Sequence, residues 1–203
     1  MNTKIQNVIR SFSAVNIAPD RKVVLDNLVS FIKGKKAKGE TIRLNFICTH
    51  NSRRSHLSQI WAQTMAYHFG INDVYCYSGG TEATALFPKV AETLAIQGFD
   101  VLKLSETTNP VYAFKYAENE YPIIGFSKEY SHAFNPTGNF AAVVTCNSAD
   151  EACPVVFGAE ARIPIKYDDP KVFDGTLLLD SKYAERSYQI AEEMWYVFSQ
   201  VLM

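Results

Sequence analysis

Between residues 21 and 38, Val24, Leu25, Leu28, Phe31 and Ile32 recur at three- and four-residue steps, which predicts an amphipathic helix. The glycine- and charge-rich stretch 34–40 ends it. Ile42, Leu44 and Phe46 then alternate, and Ile47 prolongs the apolar run, so a largely buried strand is expected to end at Cys48. The helical period returns at Ser55. Leu57, Ile60, Trp61, Thr64, Met65 and His68 fall on one face, and Gly70 supplies a stop signal. A short strand at 74–77 leads into Ser78-Gly79-Gly80-Thr81. Pro88 opens another helix through Val90, Leu94 and Ala95 to Gly98. Residues 141–145 form a third buried strand that delivers Cys146. The last helix, 182–202, carries Ile190, Ala191, Met194, Trp195, Phe198 and Val201 on one side.

Strands alternating with helices predict an α/β fold, a doubly wound parallel sheet with helices on both faces. In such folds ligands bind at the carboxyl ends of strands, where Cys48 and Cys146 both fall. Residues 1–40 are expected to be an N-terminal helical extension and 41–203 the main domain. The aromatic stretch at about 110–140 breaks the alternation. Residues 111–117 and 121–126 look like two strands around a turn at Glu118-Asn119-Glu120, an inserted hairpin that packs on the domain, forms a lid or makes a dimer surface.

Twenty basic residues against twenty-one acidic ones leave a formal charge of -1, so no bulk field is available to hold nucleic acid or an anionic membrane. An anion must be bound by a local site. No apolar run reaches the roughly 18 residues of a spanning helix, and the first residues lack the apolar core of a secretion signal. Four cysteines are too few for a disulfide scaffold, which suggests a reducing cytoplasm. Four scattered histidines give no metal-ligand spacing, so neither a metal nor another cofactor is expected.

The run Cys48-Thr49-His50-Asn51-Ser52-Arg53-Arg54-Ser55 joins a strand to a helix. Amides of such a loop point inward and bind an anion, and the same field favours a thiolate. Arg54 offers a planar two-donor clamp for a tetrahedral oxyanion. Ser55 can donate to the Cys48 sulfur, and Asn51 can adopt the left-handed conformation that turns amides inward. Positive side chains in a first helical turn oppose the helix dipole, and a bound oxyanion would account for two arginines there. Thr49, His50, Asn51, Ser52, Arg53 and Arg54 are therefore candidate oxyanion-binding residues, with Cys48 as nucleophile.

This octapeptide resembles the signature loop of low-molecular-weight protein tyrosine phosphatases and of the thioredoxin-coupled arsenate reductases that share their flavodoxin-like fold. Ser78-Gly79-Gly80-Thr81-Glu82 followed by Pro88 resembles the segment after the second strand of that superfamily. The resemblance runs from about residue 42 to the C-terminus, interrupted by the aromatic stretch. His50 departs from the usual glycine, and Arg53 stands where many members have a second cysteine. The resemblance implies that Asp169, in Tyr167-Asp168-Asp169-Pro170, is the general acid on a mobile loop, with Asp168 as fallback. Phosphatases commonly follow this proline with tyrosine; here Lys171 follows.

The pair Cys146 and Cys153 matches, in place and spacing, the cysteines of the arsenate reductases. The resemblance then implies a three-thiol relay. Cys48 attacks arsenate, Cys146 forms a disulfide with Cys48 as arsenite leaves, and Cys153 resolves it for a thioredoxin-like reductant. Two other readings remain: a phosphatase acting on phosphomonoesters, whose extra thiols protect Cys48, and a noncatalytic oxyanion-binding module. Cys76 is expected to be a buried strand residue.

Overall fold

The computed structural model describes residues 1–152 and 155–203. The chain runs α1 (Thr3–Arg10), α2 (Pro19–Ala37), β1 (Ile42–Cys48), α3 (Arg54–His68), β2 (Val74–Gly80), α4 (Pro88–Ile96), β3 (Asp100–Lys103), β4 (Tyr112–Lys115), β5 (Ile123–Gly125), β6 (Phe140–Val144), α5 (Asn147–Ala152), β7 (Ala159–Pro164) and α6 (Leu179–Val201). Two 3₁₀ turns, Ala14–Asn16 and Pro170–Phe173, complete it. Four strands form a parallel sheet in the order β2-β1-β6-β7, the α/β, flavodoxin-like arrangement. The register pairs Cys48 with Gly80, so the loop after β1 opens beside the double glycine.

Strand alternation divides the interior in two. Leu44 and Phe46 of β1 and Ala141 and Val143 of β6 face the larger cluster, covered by α2, α3 and α6. Ile47, Phe140, Ala142 and Val144 face a smaller cluster that also holds Cys48, Cys146 and Ala149, with Tyr130 packed against it. Helix α3 is buried on nearly all sides, because it lies between the sheet and α6.

Two features add to the sequence pattern. The aromatic stretch forms the expected antiparallel hairpin, β4 with β5, and β3 pairs with β4 to give a three-stranded sheet. Strand β3 is exposed at three of its four positions, so it shows no apolar alternation to read. The N-terminal helices pack directly on the main domain. Ile5 and Ile9 of α1 and Leu25, Leu28 and Ile32 of α2 share the core of the main sheet.

Beyond β5 the chain returns to the end of β2. Gly80 donates its N–H to the Lys128 carbonyl at 2.8 Å, and Tyr130 N–H donates to the Gly80 carbonyl at 2.8 Å. A side chain on Gly79 would lie 2.3 Å from the Tyr130 Cα, so this approach requires glycine. Ile32→Ala should cost about 2–5 kcal/mol, the usual range for a fully buried truncation. Denaturant unfolding should show that loss in one transition with the rest of the domain; a separate early transition would make α2 an independent unit.

Candidate active site

The five residues after Cys48 form the connection between β1 and α3. Their backbone orientation follows from where the carbonyls go. Cys48 O accepts from Thr81 N (3.1 Å), Thr49 O from Glu82 N (2.9 Å), His50 O from Ser127 Oγ (2.8 Å) and Ser52 O from Phe87 N (3.0 Å). Asn51 O contacts His56 Nε2 at 2.9 Å. All five carbonyls thus point outward. In trans peptides the next N–H points the opposite way, so the amides of residues 49–53 turn inward. Asn51 makes this possible with φ 44°, a left-handed conformation that asparagine tolerates well.

The hydrogen-bond chain from Asn51 to Cys48 has a fixed direction. Lys128 N–H can only donate, and it donates to Asn51 Oδ1 at 3.0 Å. Asn51 Nδ2 therefore donates to Ser55 Oγ, 2.8 Å away. The Ser55 proton is left for the Cys48 sulfur at 3.1 Å, where it stabilises negative charge. His56 closes the other side. Since Asn51 O can only accept, Nε2 carries the proton, and the neutral ring accepts from Ser78 Oγ at Nδ1, 3.1 Å away. Burial drives the His56 pKa down to about 3, with the Lys128 ammonium adding to the effect.

Arg54 reaches over the loop toward the segment after β7. Nη1 donates to Tyr167 O at 2.9 Å and Nη2 to Asp169 Oδ2 at 2.5 Å. Its Nε is buried with no hydrogen-bond partner among the described residues. A buried donor without an acceptor is costly, about 1–3 kcal/mol, and an oxyanion in the loop would satisfy it. Asp169 also caps the 3₁₀ turn Pro170–Phe173 by accepting from Lys171 N at 3.0 Å.

Residues 43–124 match the family model of low molecular weight phosphotyrosine protein phosphatases. The matched stretch runs from β1 to β5 and is similar to that family. Its fold is similar to those of a YwlE mutant from Bacillus subtilis (TM-score 0.55, 14% identity, 80% of this chain and 100% of that one) and a low molecular weight protein tyrosine phosphatase from T. tengcongensis (0.52, 14%, 80% and 98%). An arsenate reductase from Archaeoglobus fulgidus shares the fold as well (0.50, 16%, 77% and 98%). No curated protein matches in sequence.

Against this superfamily pattern, the structure brings Cys48, Thr49, Asn51, Ser52, Arg54, Ser55 and Asp169 around one loop. Cys146 joins them: its sulfur lies 3.5 Å from Thr49 Oγ1, and both thiols belong to the smaller cluster. Cys48, Cys76 and Cys146 are free, and Cys153 lies outside the described residues. Cys76 is buried, and burial pushes its thiol far above the ordinary range.

Three side chains go elsewhere. His50 is 45% exposed and faces Glu82 at 3.7 Å, at the rim and not inside the loop; its backbone lacks the positive φ that would require glycine. Arg53 turns to Asp174 and Tyr183, each 2.6 Å away, so its guanidinium neither faces solvent nor lines the loop. Asp168 is 98% exposed, 3.4 Å from Arg186, and does not reach the thiol loop's arginine clamp. His56, Ser78 and the Lys128 amide had no visible role in the sequence. Only the placement of His56 directly after the loop's Ser55 hinted at one.

Because folded His56 binds a proton less readily than the unfolded chain, unfolding takes up a proton between pH 6.5 and about 3. Stability should therefore fall on acidification through that window. Urea midpoints measured from about pH 7 to about pH 5 should drop more steeply in the wild type than in His56→Gln. Parallel profiles would mean that His56 is not buried neutral.

Proposed function

We propose that the chain reduces arsenate to arsenite through a three-cysteine relay begun by Cys48. The observation that carries this reading is the second thiol: Cys146 sits against the wall of the anion loop, 3.5 Å from the residue after Cys48. Phosphoester hydrolysis has no use for a thiol there. Cys146 also precedes α5, and its sulfur accepts from Ala149 N at 3.4 Å, a contact that favours sulfur carrying negative charge.

The Cys48 thiolate attacks arsenic(V) while the loop amides and Arg54 hold the remaining oxygens. An arsenic-bound oxygen leaves as water after taking up protons, one of them from Asp169. The Cys146 thiolate then attacks the Cys48 sulfur. The sulfur–arsenic bond breaks, its electron pair stays on arsenic, and arsenite departs as arsenic(III) with a Cys48–Cys146 disulfide left behind. Cys153 attacks Cys146, freeing Cys48 and giving a Cys146–Cys153 disulfide, which a thioredoxin-like dithiol reduces. Three described free cysteines fit a reducing, cytoplasmic setting.

Incubation with arsenate, thioredoxin, thioredoxin reductase and NADPH should give sustained, arsenate-dependent NADPH loss. Cys48→Ser and Cys146→Ser should abolish it. Cys153→Ser should stop after one turnover with a Cys48–Cys146 disulfide detectable by mass mapping. Arg54→Ala should weaken oxyanion binding by about 2–5 kcal/mol. Hydrolysis of p-nitrophenyl phosphate with no NADPH loss would replace this reading with a phosphatase, as in the T. tengcongensis relative.

A further inference from the structure

Arg53 and Arg54 are consecutive, and they grip opposite ends of one short segment. Asp169 opens the 3₁₀ turn Pro170–Phe173 and Asp174 closes it. Arg54 Nη2 holds Asp169 at 2.5 Å, and Arg53 Nη2 holds Asp174 at 2.6 Å. The second grip is a closed three-residue network. Arg53 Nε donates to the Tyr183 oxygen at 2.6 Å, and the Tyr183 hydroxyl donates to Asp174 Oδ1 at 2.7 Å. Burial and then Asp174 raise the Tyr183 phenol above its ordinary range, so it stays a donor. The Arg53 guanidinium also lies 4.2 Å from the Phe87 ring centre, and its side chain is 11% exposed.

The two grips differ in what a substrate does to them. An oxyanion competes for Arg54, whose Nη2 now serves Asp169 and whose Nε is unpaired. It does not compete for Arg53, whose donors face α6 and the far end of the turn. When Arg54 shifts its donors to the oxyanion, Asp169 is released from its ion pair, while Arg53 keeps the turn docked beside the loop.

We propose that Arg53 is the positioning residue of Asp169: through Asp174 and Tyr183 it fixes the acid-bearing turn to the base of the anion loop during turnover. This rests on the assignment of Asp169 as proton donor. Both anchors originate in adjacent backbone positions of the anion loop, so the separation of acid and nucleophile is set by one short piece of chain. The geometry calls for arginine. Its planar fork reaches Tyr183 and Asp174 together while stacking on Phe87; a lysine ammonium is a point donor without that fork.

The test is a double-mutant cycle of Arg53→Met and Asp169→Asn, scored on arsenate reduction, or on phenyl phosphate hydrolysis if that is what the wild type catalyses. Phenyl phosphate is chosen because its poor leaving group needs a proton. Arg53→Met should lower kcat by about 10- to 100-fold, the scale expected when a reacting group is displaced by about 1 Å. Phosphate affinity should stay within about twofold, since the oxyanion's own contacts remain. In the Asp169→Asn background, Arg53→Met should cost little more, and the limb of the kcat–pH profile that Asp169 governs should be perturbed by either change alone.

Full multiplication of the two losses would show that Arg53 acts independently of Asp169 and overturn the proposal. So would weakened phosphate binding at unchanged kcat, which would make Arg53 an oxyanion ligand. An Asp169→Asn variant with wild-type kcat would instead remove the acid assignment itself, and Arg53's role with it. If Arg53→Met does not fold, Asp174→Asn and Tyr183→Phe loosen the same anchor from the other side. They should show the same non-additivity with Asp169→Asn, and additivity there would equally sink the proposal.

Discussion

The site depends on one buried asparagine. Asn51 is fully buried with a positive φ, and its carbonyl, side-chain oxygen and side-chain nitrogen each meet a partner. One partner is Ser55 at the start of α3, another is His56 beside it, and the third is the Lys128 amide from the returning aromatic segment. Each fixes an orientation that the next contact needs. The result is a serine whose proton has one place to go, the Cys48 sulfur. In a buried network every polar group must be satisfied, so loss of any partner strands another at a cost of about 1–3 kcal/mol.

The aromatic segment is part of this network and not an ornament on the fold. It enters through backbone contacts to Gly80 and Asn51, and its Tyr130 leaves no room for a side chain on Gly79. At Gly80 the loop after β1 is in the way, since a Cβ there would lie 2.6 Å from the Thr49 carbonyl. Lys128 carries the cost of this arrangement. Its side chain is buried at 4.5 Å from Phe126 and 5.3 Å from Phe134, and burial pulls its pKa down to about 7.

The segment that carries Asp169 is held from several sides. Arg54 binds Tyr167 O and Asp169, Arg53 binds Asp174, and Arg186 approaches Asp168. From behind, Arg21 of α2 stacks on the Tyr167 ring at 4.9 Å while pairing with Glu193 of α6. Single exposed ion pairs contribute little, but a partly buried set drawn from several elements limits the paths along which the segment can move. The N-terminal helices thereby acquire a function: α2 supports the wall on which Asp169 stands.

Local chemistry was legible where it is carried by consecutive residues. The residue types in Cys48–Ser55 and the apolar periods on either side already read as a strand, a loop and a helix, because periodicity and asparagine's tolerance of a left-handed conformation are local properties. The parallel sheet followed from alternation for the same reason. The direction of the loop amides also rests on Thr81, Glu82, Phe87 and Ser127, which donate to the loop carbonyls. What the sequence could not show were choices made by distant partners. Strand β3 has no buried face to mark it, so only pairing with β4 defines it. Arg53 looks like one more oxyanion ligand beside Arg54; its direction is decided by Tyr183 and Asp174, 130 and 121 positions away. His56 looks like any helix residue until Asn51 and Ser78 close around it. The sequence by itself determined the strand–loop–helix unit and where its cysteine falls, since these need only local periodicity and neighbouring residue types. Tertiary structure alone decided which charged side chains face that loop and which hold its surroundings in place, because a side chain's direction is set by the partners that folding brings to it.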